Sequence, residues 1–318
     1  MKKLLLITLL LTTSLLLVGC SNEPVDDTDP GDIVVDCDFI PTHSSCIKPP
    51  VEDLCKTDGY TYDYDSLVYD LVWSDEFSGD SLDLDKWSYE INAGGGGNNE
   101  LQYYTDQNTS FNDGIMSITA RYESYGSREY TSSRIVTNYK ASWTYGIFEA
   151  RIKLPSGLGT WPAFWMMPST SRYGGWPDSG EIDIMEHVGY DENIIHGTIH
   201  TEAFNHKINT QIGASYSEFD DVTEEFHVYK IEWLPDRIMW YVDDELYFIF
   251  NPVNNTPWCV GSEEWPFDGN FFLILNLAVG GDWGGAQGVD PQDYPTAMEV
   301  DYVRVYQSEV ITNLEQEE

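Results

Sequence analysis

The chain has 318 residues, of which 54 are acidic and 16 are basic, so its formal net charge is −38. This charge excludes nucleic acid as a partner, because phosphate backbones are bound by clusters of Lys and Arg. The same negative field would repel sulfated polysaccharides. A neutral ligand fits the charge best, and a solvated acidic surface that maintains solubility is the plain alternative.

The chain begins with MKKLLLITLLLTTSLLLVGC, a basic start followed by an apolar run. This pattern is typical of a secretory signal, here residues 1–19, and is too short and wrongly flanked for a spanning helix. The ending LVGC resembles the bacterial lipobox, which implies that Cys20 is lipidated. An ordinary signal peptide with a chance cysteine is the alternative. We therefore expect an exported protein on the surface of the bacterial cell envelope, with its lipid anchor as the only membrane contact.

Residues 20–64 are rich in Asp, Pro, Ser and Thr, a composition typical of a spacer. Apart from Cys20, the cysteines of the chain are Cys37, Cys46, Cys55 and Cys259. An even number in an exported protein favours disulfides, and four cysteines allow three connectivities. Metal binding is the weaker interpretation, because no CxxC pair is present.

Residues 65–307 form the predicted main domain, and residues 308–318 form a predicted polar tail. Apolar residues recur at every second position in YGIFEARIKL, GIMSITARY, HVYKIEW and MEVDYVRVY. Turn signals such as NDG and LPDR separate these segments, and helical periodicity is nearly absent. Strands without intervening helices predict an all-β antiparallel sandwich.

One predicted strand, SGEIDIMEHVG, contains three acids among apolar residues. Glu181 and Asp183 project from the same face because side chains alternate along a strand. Glu186 would then point into the core, and burying an unpaired carboxylate there would cost roughly several kcal/mol. A β-bulge in which Ile184 and Met185 together occupy one position would return Glu186 to the face of the other two acids.

Paired carboxylates on one face suit glycosidic bond cleavage, with one as nucleophile and the other as acid/base. A third acid can raise the pKa of a neighbour and keep it protonated. An acidic metal site and a solvated acidic face are the alternatives, but a solvated face does not explain the apolar residues between the acids. Trp161 and Trp165 lie four residues apart, which places both on one strand face. Their indole rings could stack on sugars, or they could pack in the core.

The stretch GEIDIMEHVG resembles the signature of glycoside hydrolase family 16, in the bulged form of its laminarinases. Further blocks resemble those of the family in family order, among them LVWSDEFSG, NNELQYYT, GTWPAFWMMP, HGTIHTE and LILNLAVGGDWGG. The resemblance implies a β-jelly roll of two antiparallel sheets, with an open substrate cleft on the concave face and a retaining mechanism. It implies Glu181 as nucleophile, Glu186 as acid/base and Asp183 as the assisting residue.

The same resemblance implies a set of substrate contacts. They are Asn99, Arg134, Trp161, Trp165, His200 and Trp283. His196 and His200 share a strand face, but two such histidines indicate zinc only on a helix or with further ligands. A hydrogen bond to substrate and ordinary packing are the other interpretations of His200.

Many members of the family hold a structural calcium on the convex side. The resemblance implies backbone carbonyls of Glu76 and Gly114 and the carboxylate of Asp301 as ligands, and calcium prefers oxygen. No cofactor is expected for catalysis itself.

The leading interpretation is a monomeric, retaining endo-glycoside hydrolase that cleaves β-1,3 bonds in laminarin-type β-glucans. A mixed-linkage β-1,3-1,4-glucanase would use the same strand. A non-catalytic β-glucan-binding protein is disfavoured because all three acids are present. Transglycosylation by the same covalent intermediate stays open.

Overall fold

The computed structural model describes residues 62–252 and 261–314. Cys20, Cys37, Cys46, Cys55 and Cys259 lie outside these ranges, as do the predicted signal sequence and nearly all of the predicted spacer. What the sequence predicts for them therefore stays a prediction. Among the helices of the described residues, none has the length and apolar character that crossing a bilayer requires.

Strands dominate the described residues, as the two-residue periodicity predicts. They are β1 (Asp70–Asp75), β2 (Ser88–Tyr89), β3 (Gln102–Tyr104), β4 (Thr109–Asn112), β5 (Ile115–Tyr125), β6 (Arg128–Ser132), β7 (Arg134–Val136), β8 (Gly146–Lys153), β9 (Thr160–Pro168), β10 (Glu181–Glu186), β11 (Ile195–His200), β12 (Ile212–Tyr216), β13 (His227–Leu234), β14 (Arg237–Val242), β15 (Glu245–Phe250), β16 (Phe271–Val279) and β17 (Thr296–Gln307). The helical elements are α1 (Glu309–Leu314) and single 3-10 turns at Tyr64–Ser66, Gly95–Gly97, His206–Ile208 and Pro291–Asp293.

The strands form two sheets. The ten-stranded sheet has the order β15-β14-β13-β8-β17-β5-β6-β3, with β1 paired to β17 and β4 paired to β5. The seven-stranded sheet has the order β12-β11-β10-β9-β16-β7-β2. Within the described ranges, every strand pair is antiparallel except β3 with β6. The predicted antiparallel sandwich is therefore confirmed.

The hydrophobic core lies between the two sheets, and β8 shows how the sequence builds it. Phe148, Ala150 and Ile152 are fully buried, whereas the alternate residues Arg151 and Lys153 are only half-buried. Strands β9 and β16 contribute the facing apolar layer of the same core. Removing this surface from water supplies the main stabilisation, at about 25 cal/mol per Å² of apolar area.

Strand β16 is buried along its whole length, because both of its faces are covered. Alternate side chains of β16 enter the core. Phe272 and Ile274 instead form a second apolar cluster with Val136, and Trp165 and Met167 pack against it. This cluster marks the outer face of the seven-stranded sheet, hereafter the site face.

The segment predicted to be a polar tail differs from expectation at its start. Residues 309–314 form α1, in which Ile311 is buried in the core and Leu314 packs against it. The apolar side chain of Ile311 attaches α1 to the core, although the surrounding sequence is mostly polar. The fold therefore continues at least to Leu314.

Candidate active site

The three acids lie on β10, and a β-bulge brings them to one face. Across to β11, Asp183 pairs with Thr198 and Glu186 pairs with His196. Three steps along β10 therefore match two steps along β11, which is the extra residue that the spacing predicts. The apolar residues between the acids are buried in the core, so the acids belong to the site face.

Glu181, Asp183 and His200 converge because β10 and β11 pair in register at this level. Glu181 lies directly opposite His200. The His200 Nε2 atom lies 3.5 Å from Asp183 Oδ2 and 3.7 Å from Glu181 Oε1. One ligand-type atom from each residue lies within 4.8 Å of the others, and this is the group within the described ranges that could hold a metal ion.

Each outer acid accepts a hydrogen bond from its own tryptophan. Trp161 Nε1 donates to Glu186 Oε1 at 2.9 Å, and Trp176 Nε1 donates to Glu181 Oε2 at 2.9 Å. Such donors favour the ionised carboxylate. Trp176, in the glycine-rich loop before β10, is absent from the predicted site. It lies in a loop five residues before Glu181, and no periodicity in the sequence indicates that its indole returns to the acid.

The three acids share a buried environment that disfavours their charged forms. Burial raises the pKa of Glu181, and the nearby charge of Glu186 raises it further. Burial raises the pKa of Glu186 as well, against the opposing hydrogen bond from Trp161. Burial together with the charges of both neighbours raises the pKa of Asp183. The cluster therefore retains protons at neutral pH, which suits a site that needs one acid and one base.

His200 is the other titratable group at the centre of the site. It is 6% exposed, and burial lowers its pKa to about 4. The imidazole beside the acids is therefore neutral over most of the pH range. Its Nδ1 atom has no hydrogen-bond partner among the described residues.

Two of the predicted sugar-stacking tryptophans lie together at one end of the site. The rings of Trp161 and Trp283 pack edge to face, with centroids 5.5 Å apart. His196 packs on Trp283 with a centroid distance of 5.0 Å. Both indoles are half-buried, so each retains surface that a ligand could cover.

Trp165 is fixed by a buried chain of polar groups that sequence reasoning missed. Its Nε1 donates to Asn276 Oδ1 at 2.7 Å, and Asn276 Nδ2 donates to the Tyr104 hydroxyl at 3.2 Å. The Tyr104 hydroxyl in turn donates to Glu100 Oε2 at 3.2 Å, which also accepts from Gln102 Nε2 at 2.6 Å. The chain links β16 to the segment around β3 and holds the indole in one orientation.

The two predicted polar contacts have partners within the protein. Arg134 Nε lies 2.6 Å from Glu90 Oε2, and its guanidinium carbon lies 4.8 Å from the centre of the Trp165 ring. Asn99 is exposed and donates to Asp282 Oδ1 at 2.9 Å. Arg134 thus lies next to the site face, and Asn99 is tied to the residue beside Trp283.

The predicted calcium ligands fit an ion only in part. The position of a Cβ on Gly114 would lie 3.9 Å from the Glu76 carbonyl oxygen, so these two backbone segments are adjacent. The Asp301 carboxylate, however, is paired with Arg151 at 2.6 Å, and the Glu76 side chain is paired with Arg304. The Arg151 charge would oppose a cation at Asp301. Calcium binding stays a prediction.

Known proteins resemble this chain in sequence and fold. A family model described as Glycosyl hydrolases family 16 matches residues 97–304. A beta-glucanase of Rhodothermus marinus is 53% identical over 244 residues, which cover 75% of this chain and 85% of that one. A glucan endo-1,3-beta-glucosidase of Cryptopygus antarcticus is 42% identical over 248 residues, covering 74% and 90%. The X-ray structure of the laminarinase from Rhodothermus marinus matches with a TM-score of 0.74 at 52% identity, over 76% of this chain and 99% of that chain.

Proposed function

The chain belongs to glycosyl hydrolase family 16, whose model matches well over half of its length, and we propose that it cleaves internal β-1,3 bonds of laminarin-type β-glucans with retention of configuration. As a member of this family it is a glycoside hydrolase with a jelly-roll sandwich. One observation in the site carries the proposal. Two half-buried carboxylates on a single bulged strand each accept a hydrogen bond from a tryptophan.

The proposed roles follow the retaining mechanism. The Glu181 carboxylate attacks the anomeric carbon while Glu186 gives its proton to the leaving oxygen, which breaks the glycosidic bond and forms a glycosyl-enzyme ester. Glu186, now ionised, accepts a proton from water as that water attacks the same carbon and releases Glu181. Each step inverts the anomeric carbon, so the product retains the β configuration.

Asp183 is proposed to assist Glu181. Its Oδ2 atom has no hydrogen-bond donor among the described residues, and burial raises its pKa. A protonated Asp183 could donate to Glu181, because the two carboxyls belong to one tight cluster with His200. That hydrogen bond would favour ionised Glu181, the form that attacks.

Substrate binding is proposed to rest on flat apolar rings and a few polar groups. Trp161, Trp165 and Trp283 offer half-buried indole surface on the acids' side of the sheet, and indoles suit the apolar faces of sugar rings. Arg134 and His200 would contact sugar hydroxyls. A neutral polysaccharide agrees with this site and with the net charge of −38.

The test of the proposed function uses the full chain and a linear β-1,3-glucan. Anomeric protons are followed by NMR during the first minutes, with a mixed-linkage glucan in parallel and Glu181→Gln as an inactive variant of matched size. We expect β-anomeric reducing ends to appear before mutarotation. Prior release of α-anomers would contradict the nucleophile assignment. Binding without cleavage would favour a glucan-binding protein, and cleavage of the mixed-linkage glucan alone would correct the linkage.

Localisation is proposed from the sequence alone. We expect export and lipidation of Cys20 at the cell envelope, with the catalytic domain as a monomer. Labelling with a radioactive fatty acid should mark the wild-type protein, and Cys20→Ala should lose the label and be released from the membrane fraction. An unlabelled wild-type protein would favour an ordinary signal peptide.

A further inference from the structure

The centre of the site brings three atoms of zinc-ligand type, from Glu181, Asp183 and His200, within 4.8 Å of one another. In a tetrahedral zinc site with ligand bonds of about 2.0–2.1 Å, neighbouring ligand atoms lie about 3.3–3.4 Å apart. His200 Nε2 lies 3.5 Å from Asp183 Oδ2 and 3.7 Å from Glu181 Oε1. We propose that Glu181, Asp183 and His200 bind a zinc ion, and that this ion reversibly inhibits the enzyme.

The buried carboxylate of Asp183 supports this assignment independently of the distances. The residue is 3% exposed, its Oδ2 atom has no hydrogen-bond partner among the described residues, and that atom points at His200 Nε2. A buried polar atom without a partner is destabilising, because its hydrogen bonds to water have been lost and not replaced. A cation between the ligands would remove this cost and the repulsion between the two carboxylates.

The donor set selects zinc over the common hard cations. Zinc binds both imidazole nitrogen and carboxylate oxygen, and three protein ligands would leave the fourth position of a tetrahedral site open. Calcium and magnesium are hard cations that take oxygen ligands, whereas this group includes an imidazole nitrogen. The side chain of Glu181 is 15% exposed, which leaves a route for the ion and a position for water. The negative charge of the chain would raise the local concentration of cations.

Zinc would block catalysis through the nucleophile. A Glu181 carboxylate bound to zinc has its electron pair engaged and cannot attack the anomeric carbon. The ion would also occupy space beside His200, where the substrate is proposed to bind. Inhibition should therefore be competitive with glucan and should be reversed by a chelator.

The experiment titrates the full chain with zinc chloride by isothermal calorimetry. Magnesium chloride is the control salt. His196→Ala is the control variant, because it removes the histidine that lies four residues before His200 on the same strand. We expect wild-type protein and His196→Ala to bind zinc alike. His200→Ala and Asp183→Asn should bind at least about tenfold more weakly, since even outer-shell changes cost that much. Circular dichroism checks that each variant is folded, and zinc sites elsewhere in the chain would appear equally in all variants.

A crystal of the wild-type protein with zinc gives a test that needs no variant. We expect an anomalous peak bonded to Glu181, Asp183 and His200. No peak there, equal zinc binding by wild type and His200→Ala, or inhibition that added glucan does not relieve would each overturn the proposal. The titration and the crystal need no turnover, so an absence of zinc binding and an absence of glucan hydrolysis are separate results.

Discussion

The hydrogen bond from Trp161 to Glu186 should set the alkaline limit of activity. Trp161→Phe removes the indole donor, which lies 2.9 Å from Glu186 Oε1, and retains an aromatic ring for sugar stacking. The lost bond stabilises the ionised carboxylate more than the protonated acid, so its removal raises the pKa of Glu186. As the proposed general acid, Glu186 must hold a proton, so a higher pKa extends activity to higher pH.

The expected size of the shift follows from the strength of the bond. A hydrogen bond to a charged group contributes about 1.5–3 kcal/mol, and one pKa unit corresponds to about 1.4 kcal/mol. The basic limb of the kcat/KM profile should therefore move up by about 1–2 pH units. This profile reports the acid and base of the free enzyme.

Trp176→Phe is the matched variant at the other carboxylate. It removes the 2.9 Å donor to Glu181 Oε2, so the pKa of Glu181 also rises. A nucleophile must be ionised, so in this variant the acidic limb should move up by a similar amount. If Trp161→Phe moved the acidic limb and Trp176→Phe the basic limb, Glu186 would be the nucleophile and Glu181 the general acid. Unmoved limbs in both variants would refute the argument that these hydrogen bonds tune the acids.

Three further predictions concern catalysis, stability and calcium. Glu186→Gln should abolish hydrolysis of glucans yet spare hydrolysis of glycosides with an activated leaving group, because such a group leaves without being protonated. Equal losses of activity on both substrates in steady-state assays would contradict the acid/base role. Asn276→Leu should lower the free energy of unfolding by about 1–3 kcal/mol, because it leaves the Trp165 donor without its acceptor. Urea denaturation would detect this loss. Ile311→Ala is the core control, and we expect it to lose about 2–5 kcal/mol. If calcium binds at Asp301, adding the ion to chelator-treated protein should raise the Tm in calorimetry, and an unchanged Tm would remove the expectation.

The features that follow from the two-residue alternation of side chains along a strand could be predicted from the sequence. Alternation indicates the antiparallel sandwich, and the spacing of Glu181, Asp183 and Glu186 indicates the bulge, because a strand has only two faces. The apolar residues around the acids also indicate that the acids are buried. None of these features depends on contacts between distant parts of the chain.

Contacts that depend on how distant segments meet could not be predicted in this way. Trp176 reaches Glu181 because a loop folds back, and no periodicity describes a loop. Glu100 and Asn276 are far apart in the chain and meet through Tyr104 only after the sheets form. The pairing of Asp301 with Arg151 is likewise a product of neighbouring strands, and it weakens an expectation that rested on family resemblance.

The bulge in β10 restricts where this strand can change its length. Ile184 and Met185 are both buried in the core, so loss of either one would yield an unbulged strand that still alternates correctly up to Glu186. Loss of Ile182 would instead move Asp183 to the opposite face. The strand should therefore tolerate deletion of Ile184 or Met185 but not deletion of Ile182. Anyone who shortens or grafts this strand should count from the bulge and not from its ends.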